Sequence, residues 1–285
     1  MKIGLVCMRK GQSFKKGFTG LKALRQASEN EKREKLFNAS IFNLKQTYKN
    51  VQFCIDNNIS SYRISSEIIP FYEYWNWEDE DEIIRLMYMI NNLAKNLTLI
   101  IHPDQFTVIN SPDPSVVANS IKILEHHYLL CQLMGIQHII LHTGGVYGDK
   151  DEAMIRFADN FISLPEALRN LIRLENCHSY TISEVLFIGE LCGCDVCYDF
   201  HHERVIRKSI VLLCLHIYNL EKVIEHNSFE TITHLSSGKK SECDRSHADF
   251  ISSADLSILS IIEDYNVICE IEAKAKDEAC IKLLK

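Results

Sequence analysis

Residues 97–142 read LTLIIHPDQFTVINSPDPSVVANSIKILEHHYLLCQLMGIQHIILH. The apolar run Leu97–Ile101 is too short for a core helix and is closed by His102; Ile139–Leu141 repeats the pattern and is closed by His142. Between them Pro114 suits the first turn of a helix running to Met134, with Asp113 as its N-cap. Proline lacks the N–H that a first turn leaves unpaired, and a capping carboxylate accepts from one that remains. Strand, helix and strand in this order form a βα unit, the crossover that joins parallel neighbours.

The same alternation extends in both directions. Eight short apolar runs are present: Ile3–Cys7, Tyr62–Ile64, Leu97–Ile101, Ile139–Leu141, Leu171–Leu174, Val196–Tyr198, Thr231–Thr233 and Val267–Ile271. Eight strands alternating with helices predict an α/β fold, a closed (β/α)8 TIM barrel, forming one domain over residues 1–285. Glu29–Asn57 carries Leu36, Ile41, Leu44, Val51 and Ile55 at helical spacing, and Glu78–Leu93 opens with acidic residues that favour a helix N-terminus. The polar, Gly-containing stretch Met8–Ser28 reads as a functional loop after the first strand.

Bulk properties narrow the function. With 46% hydrophobic and 24% charged residues the chain has an ordinary globular composition, and its longest apolar stretches fall far short of a membrane span, so no membrane partner is expected. No leader pattern opens it, which predicts a cytoplasmic protein, or a nuclear one in a eukaryote. Eleven scattered cysteines fit reduced thiols, and the Cys194-Asp195-Val196-Cys197 spacing reads as small core residues on a strand. A net charge of -7 argues against a nucleic-acid binder held by global charge, so the placement of the basic residues has to decide.

Parallel barrel strands present their carboxyl ends on one face, so the first polar residue after each run points into a shared bowl. Read in this way the runs supply His102, His142, Glu175, Asp199, His234 and Glu272. One strand-end histidine is usually a hydrogen-bonded structural group. Six such residues together, half of them carboxylates that would repel one another, imply divalent cations among them. The mixed oxygen and nitrogen donors suit manganese, zinc, magnesium or iron. His202 and His247 lie on loops over the same face and would complete a third site; His201 competes with His202 on proximity, and His126 and His127 read as solvated helix residues.

These residues carry a resemblance to the ultraviolet-damage endonuclease family that runs through nearly the whole chain. The similar stretches are Arg63-Ile64-Ser65-Ser66-Glu67-Ile68-Ile69-Pro70, His102-Pro103-Asp104-Gln105-Phe106, Ser111-Pro112-Asp113-Pro114, Leu141-His142-Thr143-Gly144-Gly145, Leu174-Glu175-Asn176, Asp199-Phe200-His201-His202, His234-Leu235-Ser236-Ser237, Ser246-His247-Ala248-Asp249 and Glu272-Ala273-Lys274. The resemblance implies three divalent ions, manganese first and zinc or magnesium as alternatives, held by His102, His142, Glu175, Asp199, His202, His234, His247 and Glu272, with Glu175, Asp199, His234 and Glu272 as the catalytic core. It implies incision of damaged double-stranded DNA on the 5′ side of ultraviolet photoproducts, by a monomer that uses no organic cofactor and no covalent protein nucleophile. Gln105 and Phe106 match the family's probing pair, with phenylalanine where tyrosine is usual. Arg9, Lys10, Lys15 and Lys16 after the first strand, and Lys239, Lys240 and Arg245 after the seventh, would contact phosphates. The aromatic run Phe71, Tyr72, Tyr74, Trp75 and Trp77 could stack on DNA or pack beneath the loop.

Two departures stand out. Ile232 occupies the position of the family's modified lysine, so one bridging ligand is absent, and Asp249 or a water is the candidate replacement. At the first strand Leu5 and Arg9 replace a tyrosine and an asparagine expected near the lesion. The rival readings are an abasic-site endonuclease of the related three-metal barrels, a sugar isomerase or epimerase, and a DNA-binding barrel without catalysis. The Gln105-Phe106 pair and the Ser111-Pro112-Asp113-Pro114 stretch favour the ultraviolet type over the abasic-site enzyme, and the extra imidazoles His102, His142 and His247 with the basic loops speak against the isomerase.

Overall fold

The computed structural model describes residues 1–285, and its eight strands close into a parallel barrel in chain order. They are β1 (Lys2–Val6), β2 (Ser61–Ser65), β3 (Thr98–His102), β4 (His138–His142), β5 (Ile172–Glu175), β6 (Asp195–Asp199), β7 (Ile232–Leu235) and β8 (Ile268–Ile271). All eight apolar runs therefore became strands, shifted by a residue or two where the ladder includes the polar residue that closes the run. β8 pairs with β1 through Lys2 to Leu5, which closes the barrel and leaves no sheet edge. Gly4 faces inward at this seam, where any Cβ would collide with Ser61 Oγ.

Side chains alternate between two environments. Leu5, Tyr62, Leu99, Ile101, Ile139, Leu141, Leu174, Val196 and Ile271 point outward into one large apolar cluster shared with the helices. Leu5 is therefore core and presents no surface to solvent. Ile100, Ile140, Cys197, Ile232 and Ile268 form a separate cluster inside the barrel. Four of the five lie two residues before a bowl residue on their own strand, so they make the apolar layer beneath it, and Ile232 belongs there as packing. Cys194 and Cys197 are buried free thiols; Cys197 lies on β6 as the strand reading required, and Cys194 just before it.

The helices follow their sequence signals. Glu29–Asp56 and Pro114–Met134 form where expected, and the Asp113 carboxylate caps the latter by accepting from the Ser115 N–H at 2.8 Å. The third begins at Asp81, after a 3-10 turn over Trp77–Asp79, because the chain first buries Trp77. The loop after β1 contains an unanticipated short helix, Leu21–Gln26, which packs Leu24 with Phe18 against Leu36. No helix is long and apolar enough to cross a membrane.

His126 and His127 correct the solvated reading: both are buried. His126 stacks on Tyr72 with ring centroids 3.6 Å apart, and the His127 Nδ1–H donates to the Ile123 carbonyl at 2.7 Å. The aromatic run consequently packs beneath the loop, with Trp77 fully covered and Tyr72 and Trp75 against the core. Burial pushes His126 and His138 down to about 3, and His127 and His216 down to about 4. These rings are neutral in the fold, whereas in the unfolded chain they take up protons near pH 6.5. The stability they carry is complete above that pH and is lost as pH falls toward 4, at about 1.4 kcal/mol per ring by pH 5.5. The urea midpoint should therefore drop steeply between pH 7 and 5.5. His126→Phe, which keeps the stack on Tyr72, should flatten that slope; an unchanged slope would show that the ring is not the sensor.

Candidate metal centre and its rim

Strand register brings the strand-end residues to one level. His142 pairs with Glu175 across β4 and β5, and Asp199 with His234 across β6 and β7. The Glu175 carboxylate lies at the centre: Oε2 is 3.0 Å from His102 Nε2 and 2.9 Å from His142 Nε2, and Oε1 is 2.7 Å from His234 Nδ1. Asp199 Oδ2 is 3.5 Å from His202 Nδ1 and 3.9 Å from His234 Nδ1. Glu272 closes the ring, with Oε1 at 3.7 Å from His234 Nδ1 and Oε2 at 3.9 Å from His247 Nδ1. All eight anticipated ligands thus gather at one end of the barrel. Two compact ligand groupings stand out, His102–His142–Glu175 and Glu175–Asp199–His234, and they share Glu175.

The donor set fits divalent cations on several independent counts. Two ligand atoms bound at right angles to one ion at a bond length of ~2.1 Å lie roughly 3 Å apart, which matches the spacing around Glu175. Carbonyl oxygens only accept, so His102 Nδ1–H donates to Pro103 O at 2.8 Å, His202 Nδ1–H to Asn176 O at 2.9 Å and His247 Nδ1–H to Glu272 O at 2.7 Å. With the proton of each neutral ring on Nδ1, Nε2 is the nitrogen a metal would take. Asp199 caps the helix that follows it, Oδ1 accepting from His202 N–H at 2.7 Å, while the buried Oδ2 accepts no hydrogen bond. Burial alone would raise Glu175, but the His234 and His142 imidazoles outweigh it and hold the carboxyl well below its usual range.

Several neighbours to which the sequence alone assigns no role set this geometry. Asn176 ties β5 to β6, its side chain donating to Asp199 O at 2.9 Å and accepting from Asp199 N–H at 2.7 Å. Arg63 reaches inward from β2, with Nε 2.8 Å from Glu270 Oε2, Nη1 2.6 Å from Glu272 Oε1 and Nη2 2.7 Å from His234 Nε2. Glu270 Oε2 lies 3.0 Å from the same His234 nitrogen and competes for it with the Arg63 guanidinium, which can only donate; the ring would present Nδ1 as a lone pair where Nε2–H donates to Glu270. His178 sits three residues past Glu175, its ring 4.5 Å from that of His202, and only its distance beyond the strand end hid it. His201 is fully buried, with Nε2–H donating to the Asp244 carbonyl at 2.8 Å, so it anchors a loop, and of the two rings it is His202 that lies beside Glu175 and Asp199. Asp249 is exposed and lies outside both ligand groupings.

The rim divides into free and engaged groups. Phe106 is 75% exposed, and it borders, with Gln105, a cavity of about 540 Å³ shared with His142, His178 and His202. Lys239, Lys240 and Arg245 are exposed on the loop after β7. The loop after β1 is more committed to the protein itself. Arg9 Nε donates to Asn50 Oδ1 at 3.2 Å over the Phe53 ring, Lys10 pairs with Glu278 and Lys16 with Glu67, each at 2.7 Å, and Lys15 lies over Phe42. Surface pairs of this kind are worth less than 1 kcal/mol and can be exchanged for phosphate, but Arg9 is held.

Comparisons with known proteins show the family and the fold. The family model described as UV-endonuclease UvdE matches residues 1–285. The UV DNA damage endonuclease of Bacillus velezensis is 30% identical over 271 residues, 90% of this chain and 84% of that protein. That of Bacillus mycoides is 31% identical over 94% of this chain and 86% of its own length. Among solved structures, SacUVDE superposes with a TM-score of 0.86 at 24% identity, covering 100% of this chain and 96% of that one. Endonuclease IV of Thermus thermophilus gives 0.59 at 12% identity, with 100% and 96% covered, and D-psicose 3-epimerase of Clostridium cellulolyticum gives 0.60 at 12%, with 95% and 84% covered. The last two share the barrel alone. With a family model matched from end to end and relatives at this level over nine-tenths of its length, the chain belongs to the UV-endonuclease UvdE family of DNA-repair nucleases.

Proposed function

We propose that this protein, acting as a monomeric single domain in the cytoplasm, cuts the phosphodiester backbone of damaged double-stranded DNA immediately 5′ to ultraviolet photoproducts, and that His102, His142, Glu175, Asp199, His202, His234, His247 and Glu272 hold three divalent ions, manganese foremost. The observation that carries this reading is the juxtaposition of a largely exposed Phe106 with a strand-end cluster in which one carboxylate touches three imidazoles. Divalent ions held by these residues would supply an activated water and neutralise charge on the phosphate. The chain's own residues orient the substrate. Phe106 and Gln105 fill the gap a displaced dinucleotide leaves in the stack, since no backbone beside a stacked base can reach a bowl this deep. Lys239, Lys240 and Arg245 draw in the phosphates on an otherwise acidic protein. Glu175, Asp199, His234 and Glu272 form the bowl floor, where a buried carboxylate array keeps ligand positions fixed through the reaction.

The test is incision of an end-labelled duplex carrying one cyclobutane dimer, with manganese and with chelator, beside abasic-site and undamaged controls. A cut just 5′ to the dimer that chelator abolishes is expected. Cutting only at the abasic site would transfer the protein to the rival nuclease activity. Binding without any cut would leave a lesion-recognition role.

A further inference from the structure

The loop that follows β4, residues 143–149, holds an aromatic side chain in a conformation it does not adopt freely. Tyr147 has φ 50, the left-handed region that costs a bulky residue of this kind free energy and persists only where its surroundings enforce it. Two glycines frame it. Gly148 takes φ 89, and a Cβ at Gly145 would come within 3.0 Å of the Tyr147 ring, so the ring lies against bare backbone. From behind, the Arg156 guanidinium stands 6.0 Å from the ring centroid, itself fixed by donating from Nε to the Asn110 carbonyl at 3.1 Å. The ring nevertheless remains 44% exposed, and it lines the 540 Å³ cavity that Phe106, His142 and His202 also border. Packing does not account for strain spent on holding an aromatic face half in solvent above the candidate metal ligands.

We propose that Tyr147 is a stacking platform for the displaced pyrimidine pair, a specificity-determining residue that grips the lesion across the cavity from the Phe106 probe. The inference rests on the proposed lesion-directed incision. Its chemistry is that of an aromatic face meeting an unsaturated base or a saturated, dimerised one; the hydroxyl, for which the structure shows no hydrogen bond, has no part in it. A pair of apolar faces bordering one cavity favours a ligand that is flat and has left its stack, and undamaged duplex offers none.

The measurement is single-turnover incision of a dimer-containing duplex by metal-loaded protein, together with the affinity for undamaged duplex by fluorescence anisotropy and the melting temperature of each variant. Tyr147→Ala and Tyr147→Gly should lower the ratio of maximal rate to half-saturating concentration roughly tenfold, the size of one lost base–aromatic stack. Undamaged-duplex affinity should stay within twofold, and Tyr147→Phe should retain wild-type incision. Glycine adopts φ 50 without strain, so Tyr147→Gly should melt no lower than Tyr147→Ala even as incision fails. A purely structural tyrosine would show the opposite, with incision loss tracking loss of melting temperature. If wild type cuts the dimer and both small variants cut it equally well, the platform is overturned while the endonuclease reading stands. If wild type does not discriminate the dimer at all, both fall together.

Discussion

Glu175→Ala should lower incision by about a thousandfold or more while leaving the protein folded, because it removes the one carboxylate common to both ligand groupings. Oε2 faces His102 and His142 and Oε1 faces His234, so its loss separates the two halves of the bowl from each other. The side chain packs among imidazoles above the apolar layer of Ile100, Ile140, Cys197, Ile232 and Ile268, and that layer is untouched. Melting temperature should accordingly stay within a few degrees, whereas bound metal per chain, measured by elemental analysis, should fall. Affinity for the dimer duplex should change little, since Gln105, Phe106 and the basic loop after β7 lie on the rim. Glu175→Gln, which keeps the volume and one acceptor, should be almost as inactive. Wild-type incision in either variant would remove Glu175 from the reaction and with it the proposed cluster.

The strand-end residues were legible because a parallel barrel converts chain order into geometry: a run of three to five strand-forming residues followed by a polar one is enough to place His102, His142, Glu175, Asp199 and His234 on one rim. The helix Pro114–Met134 was legible for a similar reason, its start being written in Asp113 and Pro114. What could not be read was set by contacts distant in sequence. Lys10 looks like a free cation until the fold brings it to Glu278, and Lys16 until it meets Glu67. His126 and His127 sit in a helix whose apolar pattern is weak all round, and only the docking of Tyr72 and Trp77 decides that they are covered. Ile232 had a visible departure but no visible consequence, since its membership of the interior layer depends on its neighbours' register. Local pattern fixes which way a strand residue points, and it leaves open what that residue meets.

Arg63 shows the same boundary most sharply, and its replacement should have the largest effect on stability. Arg63→Met should destabilise the fold by about 3–5 kcal/mol, the usual cost of breaking a buried ion pair from one side, and lower the melting temperature by roughly 10 °C. The guanidinium bonds Glu270 through Nε and Nη2 at 2.8 and 2.6 Å, and Glu272 through Nη1 at 2.6 Å. Burial would raise the Glu270 carboxyl; Arg63, with His234, outweighs it and keeps the group ionised at the bottom of the bowl. Methionine fills much of the same volume but leaves Glu270 facing His234 alone, while Glu272 keeps His234 and His247, so the penalty comes from the orphaned Glu270 charge and not from a cavity. Adding Glu270→Gln to Arg63→Met should therefore recover most of the lost stability, while Glu270→Gln alone, which leaves Arg63 its Glu272 partner, should cost much less than Arg63→Met. Incision would not return with stability in the double variant, because His234 would still lack the partners that orient its ring toward Glu175. Equal losses in single and double variants would show that Arg63 acts through packing, and that the charge network beneath the bowl does not hold the ligands in place.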